Sequence, residues 1–386
     1  MWRSLASNML TILSVVLFLM AGVILWGKAQ YTAEGPLEVA ICLRVDRGAN
    51  IGRVSRDLES AGAVRSGAIF RMGADYSDKA GQLKAGSFLV RPGASMADIV
   101  DQVTRGGANS CGTEIVYRVG VTRTLAQVRE LEPATNKFVK QVEFNLIADE
   151  APAEYTRVRE DSDTRYRISM AEGVTSWQVV EALKAIDFLE GEVAEVPAEG
   201  MLAPDAYEVV PGTQRGAVLA EMQEVQTLRL AAAWESRQDG LPLNSPEELL
   251  ILASIIEKET GLPDERGQVA SVFVNRLNRG MRLQTDPTVI YGVTKGKGVL
   301  GRGLRQSELR KVTRWNTYVI EGLPITPIAN PGKASLEAAA APDTSGFVFF
   351  VADGTGGHAF ASTLEEHNRN VAEWRKVEAE RAKADN

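Results

Sequence analysis

The stretch AICLRVDRGANIGRVSRDLESAG, residues 40–62, decides how the chain folds. It opens as a short apolar strand, turns at Gly48, and continues with Ile51, Val54 and Leu58 at helical spacing. Gly48 permits the sharp turn, and Asn50 stands where a helix cap is needed. The same unit returns as GSFLVRPGASMADIVDQVTRG (86–106), IVYRVGVTRTLAQVRELE (115–132) and YRISMAEGVTSWQVVEALKAI (166–186). Ser95, Thr122 and Thr175 are the corresponding caps, and Ile99/Val103 and Val179/Leu183 the buried stripes. Repetition of this unit predicts an α+β class, in small modules with helices covering one face of a sheet.

Working outward, the 386 residues leave room for two or three domains with real cores. Net charge is −7 and no basic stripe is present, which argues against nucleic acid as a partner. Residues Met9 to Trp26, MLTILSVVLFLMAGVILW, carry no charge and, with Asn8 and Gly27, reach the roughly 20 residues of a membrane span. A cleaved signal peptide is the competing reading. The run is longer than such a core, Trp26 suits an interfacial anchor, and GKAQYTAEG is a poor cleavage site, so an uncut anchor over residues 1–30 is expected. Arg3 before the span against Lys28 after it gives only a thin positive-inside signal for a cytoplasmic N-terminus. Cys42 and Cys111 lie beyond the span and either pair in an oxidising compartment or remain separate core residues.

Residues 143–167, EFNLIADEAPAEYTRVREDSDTRYR, lose the pattern and are expected to form a linker or surface loop. Residues 214–237 are helical in pattern, and a further helix covers about 264–279. FVFFVADGTGGHAFA (347–361) predicts a hairpin, and the polar tail from Thr363 a helix packing through Val371, Trp374 and Val377. The helix in SPEELLILASIIEKETG (245–261) is well signed. Ser245 is its N-cap, Pro246 its first residue, Glu248 completes a capping box, and Gly261 is placed as a C′ glycine.

That helix ends in two glutamates that are not equivalent. Glu259 lies seven residues after Leu252, four after Ile255 and three after Ile256, in the middle of the apolar face. Glu257 is nearer the edge of that face, and Lys258 is expected on the solvated side. A carboxyl among Leu and Ile at the negative end of a helix dipole resists ionisation, as a general acid requires. The bland reading is an ion pair with Arg276 or Arg282. Two following stretches weigh against it. VNRLNRGMRLQTDPTVIYG (274–292) offers Gln284, Thr285, Asp286 and Tyr291 to a cleft, and RWNTYVIEGLPITPIANPG (314–332) adds Asn316, Thr317, Tyr318 and Asn330. Amide, hydroxyl and aromatic groups on stiff loops suit a polyhydroxylated ligand.

Together LASIIEKETG, VASVFVNRLNRGMRLQTDPTVIYG, WNTYVIEGLPITPIANPG and FVFFVADGTGGHAF resemble the signature blocks of the endolytic murein transglycosylases, the MltG/YceG family. Ala206 and Trp315 depart from the family's usual threonine and tyrosine. The resemblance implies an N-terminal transmembrane helix (1–30), a small LysM-like α+β module (35–108) and a larger mixed α+β catalytic domain (165–386). Residues 109–164 match nothing in it. It further implies a single-pass inner-membrane protein with a cytoplasmic N-terminus and a periplasmic catalytic domain. Such a protein would cleave nascent peptidoglycan glycan strands to 1,6-anhydromuramyl ends, limit strand elongation, and work beside synthases such as penicillin-binding proteins. Glu259 carries over as the catalytic residue, with Tyr318, Gln284 and Asp286 as its neighbours, and no cofactor or metal is implied. Two rivals stand beside it: a water-using peptidoglycan hydrolase with Asp286 or Glu257 as second carboxylate, and a non-catalytic glycan-binding scaffold. An aminodeoxychorismate lyase finds no support, and the two histidines, His358 and His367, make no metal-binding motif.

Overall fold

The computed structural model describes residues 2–105, 110–161 and 163–384. The expected domain boundary at 108/109, the end of the second strand–helix unit at Gly106 and the last residues of the 165–386 domain lie outside the described residues. The class is mixed α+β, in two compact units: Met1–Ile115 with Gln127–Glu143 and Ala151–Tyr166, and Val116–Ala126 with Phe144–Glu150 and Arg167–Asn386.

The first unit begins with α1 (Trp2–Thr32), in which Thr11–Thr32 is apolar and long enough to cross a membrane. Then follow β1 (Ile41–Val45), α2 (Ile51–Ser60), α3 (Gly67–Tyr76), β2 (Gly86–Val90) and α4 (Met96–Arg105). β1 and β2 pair antiparallel, Ile41 opposite Val90 and Val45 opposite Gly86. Leu43, Val45 and Phe88 of the strands meet Val54, Leu58, Phe70, Ile99 and Val103 of the helices in one core. Asn50 accepts the Arg53 N–H at 2.9 Å, and Ser95 accepts that of Asp98 at 3.2 Å, so both expected caps form. Cys42 and Cys111 are joined in a disulfide, with 5.7 Å between their Cα atoms.

The third expected strand–helix unit is instead a hairpin, β3 (Thr113–Val119) and β4 (Thr124–Glu132). Gly120 N–H donates to Arg123 C=O at 3.1 Å, closing a tight turn that leaves Thr122 without a helix to cap. Thr124, Ala126 and Val128 share one buried face of β4, and Gln127 between them is buried too, so a strand stands where the sequence predicts a helix. The segment expected as a linker holds the end of β5 (Lys137–Asn145) and α5 (Ala153–Arg159), then enters β6 (Arg165–Met170). With β7 (Ala206–Val209), these strands form a sheet in the order β5-β4-β3-β6-β7.

The second unit carries α6 (Ser176–Ala185), α7 (Arg215–Glu235), α8 (Pro246–Glu259), α9 (Arg266–Asn278), α10 (Asp286–Thr294), α11 (Gln306–Arg310) and α12 (Lys333–Ala340). The hairpin β8 (Phe349–Ala352) and β9 (His358–Ala361) and the helix α13 (Leu364–Ala384) complete it. Thr175 and Gln178 form a full capping box on α6. α8 is the central element. Its Leu249, Leu252, Ala253, Ile255 and Ile256 are fully buried, sharing a core with Val269 and Phe273 of α9 and Leu336 and Ala339 of α12. Each of its large side chains contributes about 1.5–3 kcal/mol by leaving water. Ser245 caps α8 as expected, but Glu248 reaches past it to the Asn244 N–H at 2.7 Å, so the box is not closed. The helix stops at Thr260, whose φ of −139° is extended, and Gly261 supplies no left-handed cap.

Candidate active site

Because α8 is buried along its length and ends at Glu259, the last side chain of its apolar stripe emerges where the core stops. It emerges into a cavity of 640 Å³ within the second unit. Gln284, Asp286 and Tyr318 line the same cavity, so three of the expected neighbours are brought to the acid. The Thr285 hydroxyl donates directly to Glu259 Oε1. Thr285 stands at the N-cap position of α10, yet its side chain caps nothing there and serves the acid instead. Behind it a buried hydroxyl cluster sets its place: Thr285 N–H donates to Thr317 Oγ1 at 3.1 Å, and Thr317 and Thr288 share a 2.8 Å hydroxyl contact.

Burial pushes the Glu259 carboxyl above the ordinary carboxylate range, and the negative charge of Asp286 pushes it the same way. The Thr285 hydrogen bond and the nearby His358 pull it back in part. Among the described residues no arginine or lysine is ion-paired with Glu259, so the simple structural reading is set aside. Arg276 is occupied elsewhere. Its guanidinium donates to the carbonyls of Val348 at 2.6 Å, Leu283 at 2.9 Å and Arg282 at 3.0 Å, binding β8 to the loop that carries Gln284. Gln284 itself is held at φ 51°, a left-handed conformation that side-chain-bearing residues seldom adopt. Tyr318 donates its hydroxyl to Asp286 Oδ1 at 2.7 Å, and burial with that neighbour raises the phenol's pKa.

The remaining expected site residues lie elsewhere. Tyr291 lines a second cavity of 340 Å³ and donates to Glu199 Oε2 at 3.1 Å. Asn316 is fully buried, and its amide donates to the carbonyls of Glu308, Leu309 and Lys311 at 2.8–3.1 Å. Asn330 is also fully buried, bridging the Leu202 N–H and the Val174 carbonyl at 2.9 Å each. Both asparagines hold loops and do not reach the cavity. Glu257 accepts the Gly332 N–H at 2.9 Å. Lys258, expected in solvent, is half-buried and donates to the Gly173 carbonyl at 3.2 Å, because the loop before α6 folds across the helix end. His358 pairs with Glu265 at 2.8 Å.

The cavity also has walls that sequence reasoning did not find. Phe349 and Phe350 come from β8, and Leu364, His367, Asn368 and Val371 from α13. His367 stacks on Phe349 with ring centroids 4.9 Å apart. The aromatic run at 347–350 beside a histidine-bearing polar helix is the one available signal, and it is too ordinary to have singled them out.

The arrangement, a buried carboxyl with a second carboxylate beside it at the head of an aromatic- and amide-lined cavity, suits acid catalysis. The model of the YceG-like family matches residues 43–373. The chain belongs to the YceG-like family. An endolytic murein transglycosylase of Bacillus subtilis is 27% identical over 355 residues, 91% of this chain and 89% of that protein. One from Streptococcus pneumoniae is 26% identical over 357 residues, 86% of this chain. The match spans 58% of the length of that pneumococcal relative. A solved yceG-like protein of Listeria monocytogenes is 23% identical, covering 86% of this chain and 99% of that one, with a TM-score of 0.45.

Proposed function

We propose that this YceG-like chain is an endolytic lytic transglycosylase cutting peptidoglycan glycan strands, with Glu259 as the catalytic acid and base. The observation that carries the reading is the placing of the Glu259 carboxyl at the head of the cavity, held by Thr285, where burial raises its pKa. A carboxyl whose pKa is raised holds its proton more firmly and can donate it to the oxygen linking N-acetylmuramic acid to N-acetylglucosamine. The bond from muramyl C1 to that oxygen breaks, and the N-acetylglucosamine hydroxyl leaves with the proton. The glutamate, now a carboxylate, takes the proton of the muramyl C6 hydroxyl as O6 closes on C1. The product is a 1,6-anhydromuramyl end. No water is consumed, and Glu259 finishes protonated.

In this scheme Thr285 orients the carboxyl, and Asp286 keeps its proton in place while Tyr318 and Gln284 face the sugar. The apolar helix α1 serves as the single membrane anchor, with the catalytic unit outside the inner membrane and close to the synthases that make its substrate. A disulfide within the first unit supports that placement, since such bonds persist in oxidising compartments.

Hydrolysis is the second reading, because Asp286 lines the same cavity and hydrolases use two carboxylates. The test incubates the full chain in detergent, and its Glu259→Gln variant, with uncrosslinked glycan polymer, and reads the ends by mass spectrometry. Anhydromuramyl ends from the parent, reduced roughly 10²- to 10⁴-fold in the variant, are expected. Reducing muramic ends would establish the hydrolase instead. Binding without cleavage would leave a scaffold.

A further inference from the structure

Two pairs of residues adjacent in sequence are divided between two cavities of the second unit. Glu259 and Asp286 line the catalytic cavity; Lys258 and Pro287 line the second, of 340 Å³. Neighbouring residues stand 3.8 Å apart at Cα, so the two cavities flank the same two backbone segments. A sugar held at Glu259 would lie across these two segments from the second cavity.

The chemistry of the second cavity is specific. Its lining is apolar in part, with Ile290, the exposed Val299, Leu300 and the buried Ile328. Its ammonium is Lys258, half-buried and bonded only to the Gly173 carbonyl. Among the described residues no carboxylate lies within ion-pair distance of it. Two acids stabilise it by charge from beyond contact: Glu257, which accepts the Gly332 N–H, and Glu199, which accepts the Ser176 N–H and the Tyr291 hydroxyl. The second cation on the lining, Arg302, is already neutralised by Glu308 at 2.6 Å. Burial pushes the Lys258 ammonium below its ordinary pKa, against the opposing pull of Glu257 and Glu199. The walls are braced from within, Thr175 donating to the Gly296 carbonyl at 2.6 Å and Gln178 to that of Val121 at 2.6 Å.

We propose that this second cavity binds a carboxylate carried on a short aliphatic chain, with Lys258 as its cationic anchor. Resting on the function proposed above, that group belongs to the muramyl residue being cut. It is either the lactyl carboxylate of a stem-free sugar or a carboxylate of the peptide stem.

Three uncrosslinked glycan strands distinguish these sources: one bearing stems, one stem-free with lactyl carboxylates, and one stem-free with those carboxylates converted to methylamides. The full chain in detergent is expected to show a KM about tenfold lower on one of the charged strands than on the methylamide, the worth of one charge-assisted hydrogen bond. Lys258→Met should flatten that ratio and Lys258→Arg should keep part of it. Reading a ratio within each variant removes any general loss of activity. Should Lys258→Met fail to fold, Val299→Glu on the exposed part of the lining sets a negative charge there and should flatten the ratio too. Equal KM on all three strands, or an unchanged preference in these variants, overturns the site. If the parent cleaves none of them, the function reading fails by itself. Calorimetry with free N-acetylmuramic acid and its methylamide then decides the site directly, since only the acid should bind.

Discussion

At the residue scale the acid and its two modifiers make opposite demands, and the signs can be worked out. In the proposed mechanism the acid form of Glu259 is the active one, so cleavage should persist below its raised pKa and be lost as pH rises through it. Asp286→Asn removes a negative neighbour, which lets Glu259 ionise sooner; the alkaline limb of the rate should move to lower pH. Thr285→Val removes a bond that favours the ionised form, and that limb should move to higher pH. A pH–rate profile of each variant on glycan polymer checks both, and shifts in the same direction would contradict the assignment. Glu259 was legible from helical arithmetic alone, because Leu252, Ile255 and Ile256 define its face wherever the rest of the chain lies. Lys258 was not. A residue pointing away from one apolar stripe is solvated only if no loop crosses it, and the Gly173 loop comes from far upstream.

At the scale of elements, the loops around the site are set by fully buried asparagines. Asn330→Ala would leave the Leu202 N–H without its side-chain partner, while the Val174 carbonyl keeps the backbone N–H of residue 330, so a loss of roughly 1–3 kcal/mol is expected. Urea unfolding measures it. A loss of only a few tenths would mean that water takes over the bond. The sequence offered these asparagines as sugar ligands because an amide on a proline-stiffened loop looks the same whether it faces a ligand or a carbonyl. The hairpin β3–β4 was missed for a related reason. Its turn at Gly120–Arg123 has no strong hairpin dipeptide, and its apolar residues are too few to separate a period of two from one of 3.6. The helices α7, α8 and α9 and the hairpin β8–β9 were legible, since long periodic runs, a proline start and a glycine-rich turn are local signals.

Over the whole molecule, the disulfide binds a long stretch of the first unit. Its cysteines are 69 residues apart, and closing a loop of that length stabilises a fold by about 4 kcal/mol through the entropy of the unfolded chain. Cys42→Ser with Cys111→Ser should therefore lower the thermal midpoint of the first unit, with little change in the second. Calorimetric scans of both forms show it. Equal scans would mean that the bond lies where the chain is already constrained. Sequence alone left the pairing open, because neither cysteine's spacing names a partner.

One wall of the catalytic cavity has a consequence for the timing of synthesis. Leu364, His367, Asn368 and Val371 come after every other residue that lines it, and the acid at position 259 is made long before them. While the chain emerges from the ribosome, α8 is complete before that wall has been made. Without that wall the carboxyl is less shielded and loses its proton more readily. On the function proposed above, the centre is completed only when α13 arrives, so a chain ending before Leu364 is expected to cleave glycan poorly.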